Sequence, residues 1–164
     1  MKAVYLHVPF CDSICAYCDF CRIITNEDTK RKWMAQIIEE IKQKNIHEVD
    51  TLYFGGGTPS SLACDQFEKI ASLFNVSKEF TVECNPESLD LEKIQLYKKL
   101  GVNRISLGVQ TFNDCLLEII NRKHRKEDIF QVIQLLKENG IDNISIDLMY
   151  ALPEQSLEDI KKDL

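Results

Sequence analysis

Three cysteines near the start of the chain form its most reactive pattern. Cys11, Cys15 and Cys18 have the spacing C-x3-C-x2-C and directly follow the apolar run Ala3–Val8. A loop after a strand can bring three thiolates around one point, where each binds a different corner of a cubane iron–sulfur cluster. Because three ligands for four irons leave one iron open, the spacing predicts a [4Fe-4S] cluster that binds a small molecule directly.

Zinc and disulfides are the alternative uses of these thiols. Structural zinc usually takes four ligands, often as two C-x2-C pairs, and no second pair follows nearby. A disulfide framework fits less well, because the number of cysteines, 7, is odd. The first apolar run also differs from a secretory leader, because it contains His7 and is followed by Pro9. We therefore expect a cytoplasmic protein with reduced thiols.

The other cysteines have no clear spacing. Cys21 could provide a fourth thiolate or be an ordinary half-buried thiol. Cys64, Cys84 and Cys115 each stand alone among apolar residues, and free cysteines are common in protein cores. We therefore predict that these three are buried and bind no metal.

Length and composition limit the possible classes of protein. With 164 residues, of which 45% are hydrophobic, the chain can bury a substantial core, and we expect one domain over residues 1–164. The net charge of -6 argues against nucleic acid as a partner, since neutralising phosphates requires a basic face. No apolar segment approaches the length of a transmembrane span.

Apolar β-branched runs alternate along the chain with segments whose apolar residues have helical spacing. The predicted strands are Val4–Val8, Thr51–Phe54, Phe80–Cys84, Arg104–Val109 and Ile144–Tyr150. The predicted helices carry apolar stripes that include Trp33, Phe67, Leu91 and Ile129, and Ser156 is expected to cap a last helix. Strands joined by helices predict a parallel sheet with right-handed connections.

The positions of unusual residues distinguish between two α/β folds. The cysteine loop, Gly55–Gly57, Glu83, Gln110 and Asp147 all lie near the ends of successive predicted strands. In a barrel these ends meet at one rim, whereas a doubly wound sheet binds its ligand at a single switch point. We therefore predict a partial (β/α)6 TIM-like barrel with about five βα units. Its fifth strand should form an open edge, as in a truncated product or a fragment.

A run of glycines follows the second predicted strand. Gly55, Gly56 and Gly57 precede Thr58 and Pro59 and allow the backbone to approach a ligand without a Cβ atom in the way. The run matches neither a phosphate-binding P-loop nor a dinucleotide fingerprint. A tight turn without a ligand is the alternative.

Four polar residues could complete a pocket beside the cluster. Glu83 and Gln110 end apolar strands, and Asp147 interrupts a run that is otherwise suited to burial on both faces. A carboxylate in such a run needs a hydrogen bond or an ion pair. Arg122 could bind a ligand carboxylate through a bidentate bond or lie on a helix surface.

Five ordered motifs carry a family resemblance. They are His7–Phe20 with its three cysteines, Tyr53–Ser60, Glu83–Pro86, Gly101–Phe112 and Ile146–Pro153. Together they resemble the radical S-adenosylmethionine (SAM) proteins over nearly the whole chain, and in particular the branch of oxygen-independent coproporphyrinogen III oxidases and HemW-type haem chaperones.

The resemblance implies a ligand set. Cys11, Cys15 and Cys18 would bind a [4Fe-4S] cluster, and SAM would bind its open iron, where one-electron reduction cleaves the sulfonium. The residues implied to contact SAM are Tyr5, Tyr17, Gly56, Gly57, Thr58, Glu83, Gln110, Arg122 and Asp147. No residue is assigned as a catalytic acid, base or nucleophile.

Two details of the resemblance favour the chaperones within this branch. The oxidases have an N-terminal extension and a cysteine two residues after the third ligand, where this chain has Phe20. The resemblance then implies haem as a ligand, haem-acceptor proteins as partners and a protein electron donor; His7 and His124 are not assigned to haem. The alternatives are oxidation of coproporphyrinogen III and an inactive fragment.

Overall fold

The computed structural model describes residues 2–164 and contains one five-stranded sheet in which every pairing is parallel. The strands are β1 (Ala3–Val8), β2 (Glu48–Gly56), β3 (Asn75–Cys84), β4 (Arg104–Gln110) and β5 (Asn143–Leu148). Their order in the sheet is the order of the chain, β1-β2-β3-β4-β5. A doubly wound sheet would reverse direction at a switch point, so the predicted partial barrel is confirmed.

Six α-helices connect or follow the strands in the described part of the chain. They are α1 (Glu27–Lys44), α2 (Cys64–Ala71), α3 (Leu91–Lys99), α4 (Asp114–Ile119), α5 (Lys126–Glu138) and α6 (Leu157–Asp163). Two short 3-10 helices, Pro59–Ser61 and Pro86–Ser88, follow β2 and β3. No helix within residues 2–164 is both long and apolar enough to cross a membrane.

Side-chain caps define where several helices begin. The Asn26 side chain accepts a hydrogen bond from the Thr29 amide at 3.0 Å, and the Asp90 side chain accepts one from Lys93 at 2.8 Å. Ser156 caps α6 as predicted. The sequence analysis did not predict α4, which has only 6 residues and starts at the Asn113 cap.

Strand β4 separates the core from the cavity at the strand ends. Ile105, Leu107 and Val109 are fully buried in the main apolar cluster, together with residues of α3 and α5. Alternate residues of a strand point to opposite faces, so Ser106, Gly108 and Gln110 lie on the other side. The apolar half of β4 therefore anchors the strand while its polar half faces a cavity.

Strand β5 is less buried than predicted. Ile146 is 37% exposed and Asp147 is also exposed, so the expectation of burial on both faces was wrong. The reason is that β5 is the edge of the described sheet and pairs only with β4.

The predicted burial of the isolated cysteines was only partly correct. Cys84 is buried, but Cys64 is half-buried and Cys115 is exposed, because Cys115 lies on the solvent side of the first turn of α4. Cys21, for which a half-buried thiol was one of two alternatives, is also exposed.

Candidate functional site

A cavity of about 390 Å³ lies at the carboxyl ends of the strands. Eleven of the twelve predicted site residues line it: Cys11, Cys15, Tyr17, Cys18, Gly56, Gly57, Thr58, Glu83, Gln110, Arg122 and Asp147. A volume of this size is within the usual range for small-molecule sites. The structure therefore brings together residues that are separated by more than a hundred positions in the sequence.

The cysteine loop is closed at its base by backbone pairing. Phe10 and Ile23 form a parallel bridge, the Cys11 amide donates to the Ile23 carbonyl at 3.1 Å, and the Ile23 amide donates to the Pro9 carbonyl at 2.7 Å. These bonds fix where the loop leaves β1 and where it returns.

The turn after α4 holds the middle of the same loop. The Ala16 amide donates to the Ile120 carbonyl at 3.1 Å, and the Asn121 side chain donates to the Ile14 carbonyl at 2.7 Å. Asn121 has a left-handed backbone with φ of 60°, a conformation that asparagine tolerates better than most residues. The loop thus depends on a segment more than a hundred residues away.

Two of the three predicted ligand thiols accept hydrogen bonds. The Thr58 hydroxyl donates to Cys11 Sγ at 3.3 Å, and Arg122 Nη1 donates to Cys15 Sγ at 3.5 Å. Burial raises the pKa of the Cys11 thiol, while the Thr58 bond acts in the opposite direction. Within residues 2–164, no three His, Cys, Asp or Glu side chains are grouped closely enough to hold a single metal ion.

The glycine turn lies directly against the cysteine loop. The Gly57 amide donates to the Val8 carbonyl at 2.8 Å, and the Thr58 amide donates to the Phe10 carbonyl at 2.7 Å. A Cβ atom on Gly57 would lie 2.7 Å from the Phe10 carbonyl oxygen and 3.1 Å from Cys11 Sγ. Only glycine therefore allows this turn to support the loop without displacing Cys11.

The substitution Gly56→Ala is expected to lower the free energy of unfolding by about 2–5 kcal/mol. Gly56 has φ of +118°, and an added Cβ would lie 2.6 Å from the His7 ring. Gly101→Ala is the control, because Gly101 also has a positive φ, +86°, but no atom lies within 4 Å of its Cβ position. We expect that control to lose only about 1–2 kcal/mol in urea unfolding. Equal losses would show that crowding at Gly56 is unimportant.

Glu83 is held by two donors at the rim of the cavity. The Tyr53 hydroxyl donates to Glu83 Oε1 at 2.7 Å, and the Gly56 amide donates to Glu83 Oε2 at 3.0 Å. The Tyr5 ring stacks on Tyr53 with centroids 5.7 Å apart, and Tyr5 does not line the cavity. Desolvation and the charge of Glu83 raise the pKa of Tyr5. Contact of Tyr5 with a cofactor stays a prediction.

Arg122 is the main buried cation of the cavity. Its Nη2 atom donates to Asn85 Oδ1 at 2.8 Å and to the Gly108 carbonyl, while its buried Nε has no hydrogen-bond partner. Burial alone would lower the pKa of Arg122, but the bond to Cys15 and the charge of Glu87 raise it above its usual value. The guanidinium therefore remains charged and keeps an unused donor.

Gln110 and Asp147 lie at the ends of β4 and β5. Gln110 has a left-handed backbone with φ of 69°, at the point where the pairing of the two strands shifts register. Asp147 pairs with Gly108 in the sheet, and a Cβ atom on Gly108 would lie 3.0 Å from the Gln110 side chain. Desolvation raises the pKa of Asp147, although Ser106 and Arg104 lower it in part.

Replacing Asp147 with asparagine is expected to raise the melting temperature of the cluster-free chain at neutral pH by about 1–3 °C. A carboxyl group whose pKa is higher in the folded state is harder to ionise there, so its ionisation destabilises the fold as the pH rises. The increase in melting temperature should be absent at a pH well below the ordinary carboxyl pKa of 3.8 and should appear as the pH rises above that value. Thermal unfolding across this range is the measurement, and Asp142→Asn, the same change in the exposed loop before β5, is the control for the loss of one carboxylate.

Several residues of the cavity were missed in the sequence analysis. Asn85, Ser106 and Met149 also line it. The alternation of Ser106, Gly108 and Gln110 along β4 was a usable signal, because every second residue of a strand shares a face. Asn85 belongs to the motif Glu83–Pro86, but a single uncharged asparagine does not by itself indicate a binding site.

Comparison with known proteins decides the family. A model of the radical SAM superfamily matches residues 5–164. The chain belongs to the radical SAM superfamily. This family implies a [4Fe-4S] cluster and SAM as cofactors.

The most similar radical SAM relatives include two haem chaperones. The chain is 42% identical to the haem chaperone HemW of Lactococcus lactis and covers 99% of its own length but 45% of that protein. It is 39% identical to HemW of Bacillus subtilis, covering 100% of itself and 46% of the relative. The chain thus spans about half the length of these relatives.

A solved radical SAM structure has the same fold. Coproporphyrinogen III oxidase (HemN) of Escherichia coli superposes with a TM-score of 0.87 at 29% identity, over 99% of this chain and 40% of that one. The sequence of the oxygen-independent coproporphyrinogen III oxidase from the same organism is 31% identical, over 95% of this chain and 36% of the relative.

The residues of the cavity fit the radical SAM cofactors. Three thiols face one space, so each could bind a different iron of a cubane cluster. The glycine turn lines the same cavity as the thiols, and the buried Arg122 Nε lacks a partner that a carboxylate would provide.

Proposed function

We propose that this chain is the cofactor-binding part of a HemW-like haem chaperone, which binds haem and transfers it to acceptor proteins. The observation that carries the proposal is the 42% identity to HemW of Lactococcus lactis over 99% of the chain. Phe20 supports it, since it is 73% exposed at the cavity and occupies the place where the resemblance leads us to expect a cysteine in the oxidases.

We propose separate roles for the residues of the cavity. Cys11, Cys15 and Cys18 hold the cluster, and Arg122 and Thr58 donate hydrogen bonds to two of these thiolates. A cluster held there would supply one-electron reduction of the SAM sulfonium, with a reducing protein as the source of the electron. Hydrogen bonds to cluster sulfurs help to set the potential at which this occurs.

The remaining residues would position SAM. Gly56, Gly57 and Thr58 provide backbone groups beside the cluster, and Tyr17 lines the cavity next to them. Arg122 offers its free donor to the methionyl carboxylate. Glu83, Gln110 and Asp147 present oxygen atoms at the rim, and oxygen acceptors suit ribose hydroxyls and an ammonium group.

A haem titration tests the chaperone function. The chain is reconstituted anaerobically with iron and sulfide and titrated with haem, and the Soret band is followed. We expect saturation at one haem per chain, with transfer to an added haem-free acceptor protein. Absence of stoichiometric uptake would contradict the proposal, and iron-free protoporphyrin is the control for nonspecific apolar binding.

Oxidation of coproporphyrinogen III is the second candidate. It is favoured by the TM-score of 0.87 to the Escherichia coli enzyme. The test supplies reconstituted chain, SAM, a reducing electron donor and coproporphyrinogen III without oxygen. Formation of the decarboxylated product would favour this candidate over the chaperone, and its repeated absence would remove it.

A further inference from the structure

His124 is a fully buried histidine, 0% exposed, with an acceptor at each ring nitrogen. Its Nδ1 lies 3.1 Å from Glu87 Oε2, and its Nε2 lies 3.2 Å from the Val109 carbonyl oxygen. A neutral imidazole has only one N–H donor, whereas an imidazolium has two. Two acceptors therefore call for the charged ring, provided that Glu87 is ionised.

The surroundings of Glu87 favour its ionised form. Burial raises the pKa of Glu87, but the hydrogen bond with His124 and the charge of Arg122 outweigh this and lower it below its usual value. The only other arrangement that satisfies both ring nitrogens is a protonated Glu87 that donates to a neutral ring. The two arrangements differ in the number of protons on the ring, so they can be distinguished by experiment.

His124 connects three segments that line or support the cofactor cavity. Its Nε2 partner, Val109, precedes Gln110, whose left-handed backbone turns into the cavity. Its Nδ1 partner, Glu87, lies in the 3-10 helix that follows Asn85, and Asn85 accepts a hydrogen bond from Arg122. His124 itself lies two residues after Arg122. The His124 ring thus connects the end of β4 to the 3-10 helix that contains Glu87 and to the turn that carries Arg122.

Glu87 would act on Arg122 differently without His124. The carboxylate already interacts electrostatically with Arg122. If the imidazolium were removed, Arg122 would be the remaining buried cation near this carboxylate, and its attraction to Glu87 would compete with its bonds to Asn85 and Cys15. His124 therefore neutralises Glu87 and leaves the Arg122 donors available to the cavity.

We propose that His124 is held as an imidazolium and is the positioning residue that fixes Arg122 and Gln110 for SAM binding, an inference that rests on the proposed role of these two residues. His124 does not touch the cofactor. Its effect passes through the Val109 carbonyl, through Glu87 and through the turn that carries Arg122.

The charge state is tested by ¹⁵N–¹H correlation spectra of the ring nitrogens. The chain has 3 histidines, and single substitutions assign their signals. We expect the His124 ring to show two protonated nitrogens at neutral pH. A spectrum of a neutral tautomer would overturn the inference, whether or not the chain binds SAM.

The positioning role is tested by SAM binding to the reconstituted chain in equilibrium dialysis. His124→Gln should weaken binding about tenfold with unchanged iron and sulfide content, since both amide N–H donors lie on one nitrogen and cannot reach the two acceptors that the separate ring nitrogens contact. His47→Gln is the matched control, because His47 is exposed and its ring contacts the Leu73 carbonyl far from the cavity lining, and it should bind SAM like the parent chain. Equal binding by His124→Gln and the parent would overturn the inference.

Glu87→Gln is a second test variant for the case that His124→Gln fails to fold. It keeps a polar side chain next to the His124 ring. Without its counter-ion the buried ring should become neutral, and SAM binding should weaken about threefold. An unchanged ring spectrum and unchanged binding would overturn the inference. If the parent chain with a full cluster failed to bind SAM, the proposed function would be wrong, and the ring spectrum would still decide the charge state separately.

Discussion

Cys15→Ala should abolish assembly of the cluster, and the iron and sulfide content after anaerobic reconstitution should fall to background. Cys11→Ala and Cys18→Ala should have the same result. The reason is that each thiolate binds a different iron, so no remaining ligand can replace the lost one. Iron analysis and the charge-transfer absorbance of the cluster provide the measurement.

Cys21→Ala is the matched control for this experiment. Cys21 belongs to the same loop and is exposed, but it does not line the cavity. We expect this variant to retain a full cluster. Loss of the cluster in Cys21→Ala would identify Cys21 as a fourth ligand, and zinc in place of iron in the parent chain would contradict the cluster assignment altogether.

The substitution Arg122→Lys is expected to weaken SAM binding by about 10- to 100-fold, because hydrogen bonds to charged groups contribute about 1.5–3 kcal/mol each. Lysine keeps the charge but lacks the planar fork that bonds Asn85, the Gly108 carbonyl and Cys15 at once. Equilibrium dialysis with SAM measures the change. The cluster content should fall much less, because Arg122 is not a ligand.

Arg125→Lys is the control for that substitution. Arg125 lies three residues later, its side chain is 50% exposed, and it pairs with Glu118 at 3.8 Å on the surface. Surface ion pairs contribute little, so this variant should bind SAM like the parent chain. Equal effects of the two substitutions would mean that Arg122 does not position the ligand.

The elements that the sequence predicted best are those with a strong local pattern. All five predicted strands are present, although β2 and β3 extend several residues before the predicted starts. Most of the added residues, such as Glu48 and Asn75, are polar, and the pairing of β2 with β3 extends both strands to include them. Helix α4 was missed because 6 residues are too few to show a helical period.

The sequence by itself determined the reactive groups. The spacing of Cys11, Cys15 and Cys18 and the glycine run are local, because the ligands of one cluster and the bends of one turn must be close along the chain. Residues near the ends of successive strands could be assigned to one rim for a similar reason, since parallel strands present their carboxyl ends on the same side.

Only the tertiary structure decided how these groups are supported. The bond from Arg122 to Cys15 and the burial of His124 between Glu87 and Val109 join positions that no spacing rule connects. The exposure of Asp147 likewise follows from the place of β5 at the edge of the described sheet. Protonation, hydrogen bonding and burial depend on neighbours in space, and those neighbours are defined only once the chain has folded.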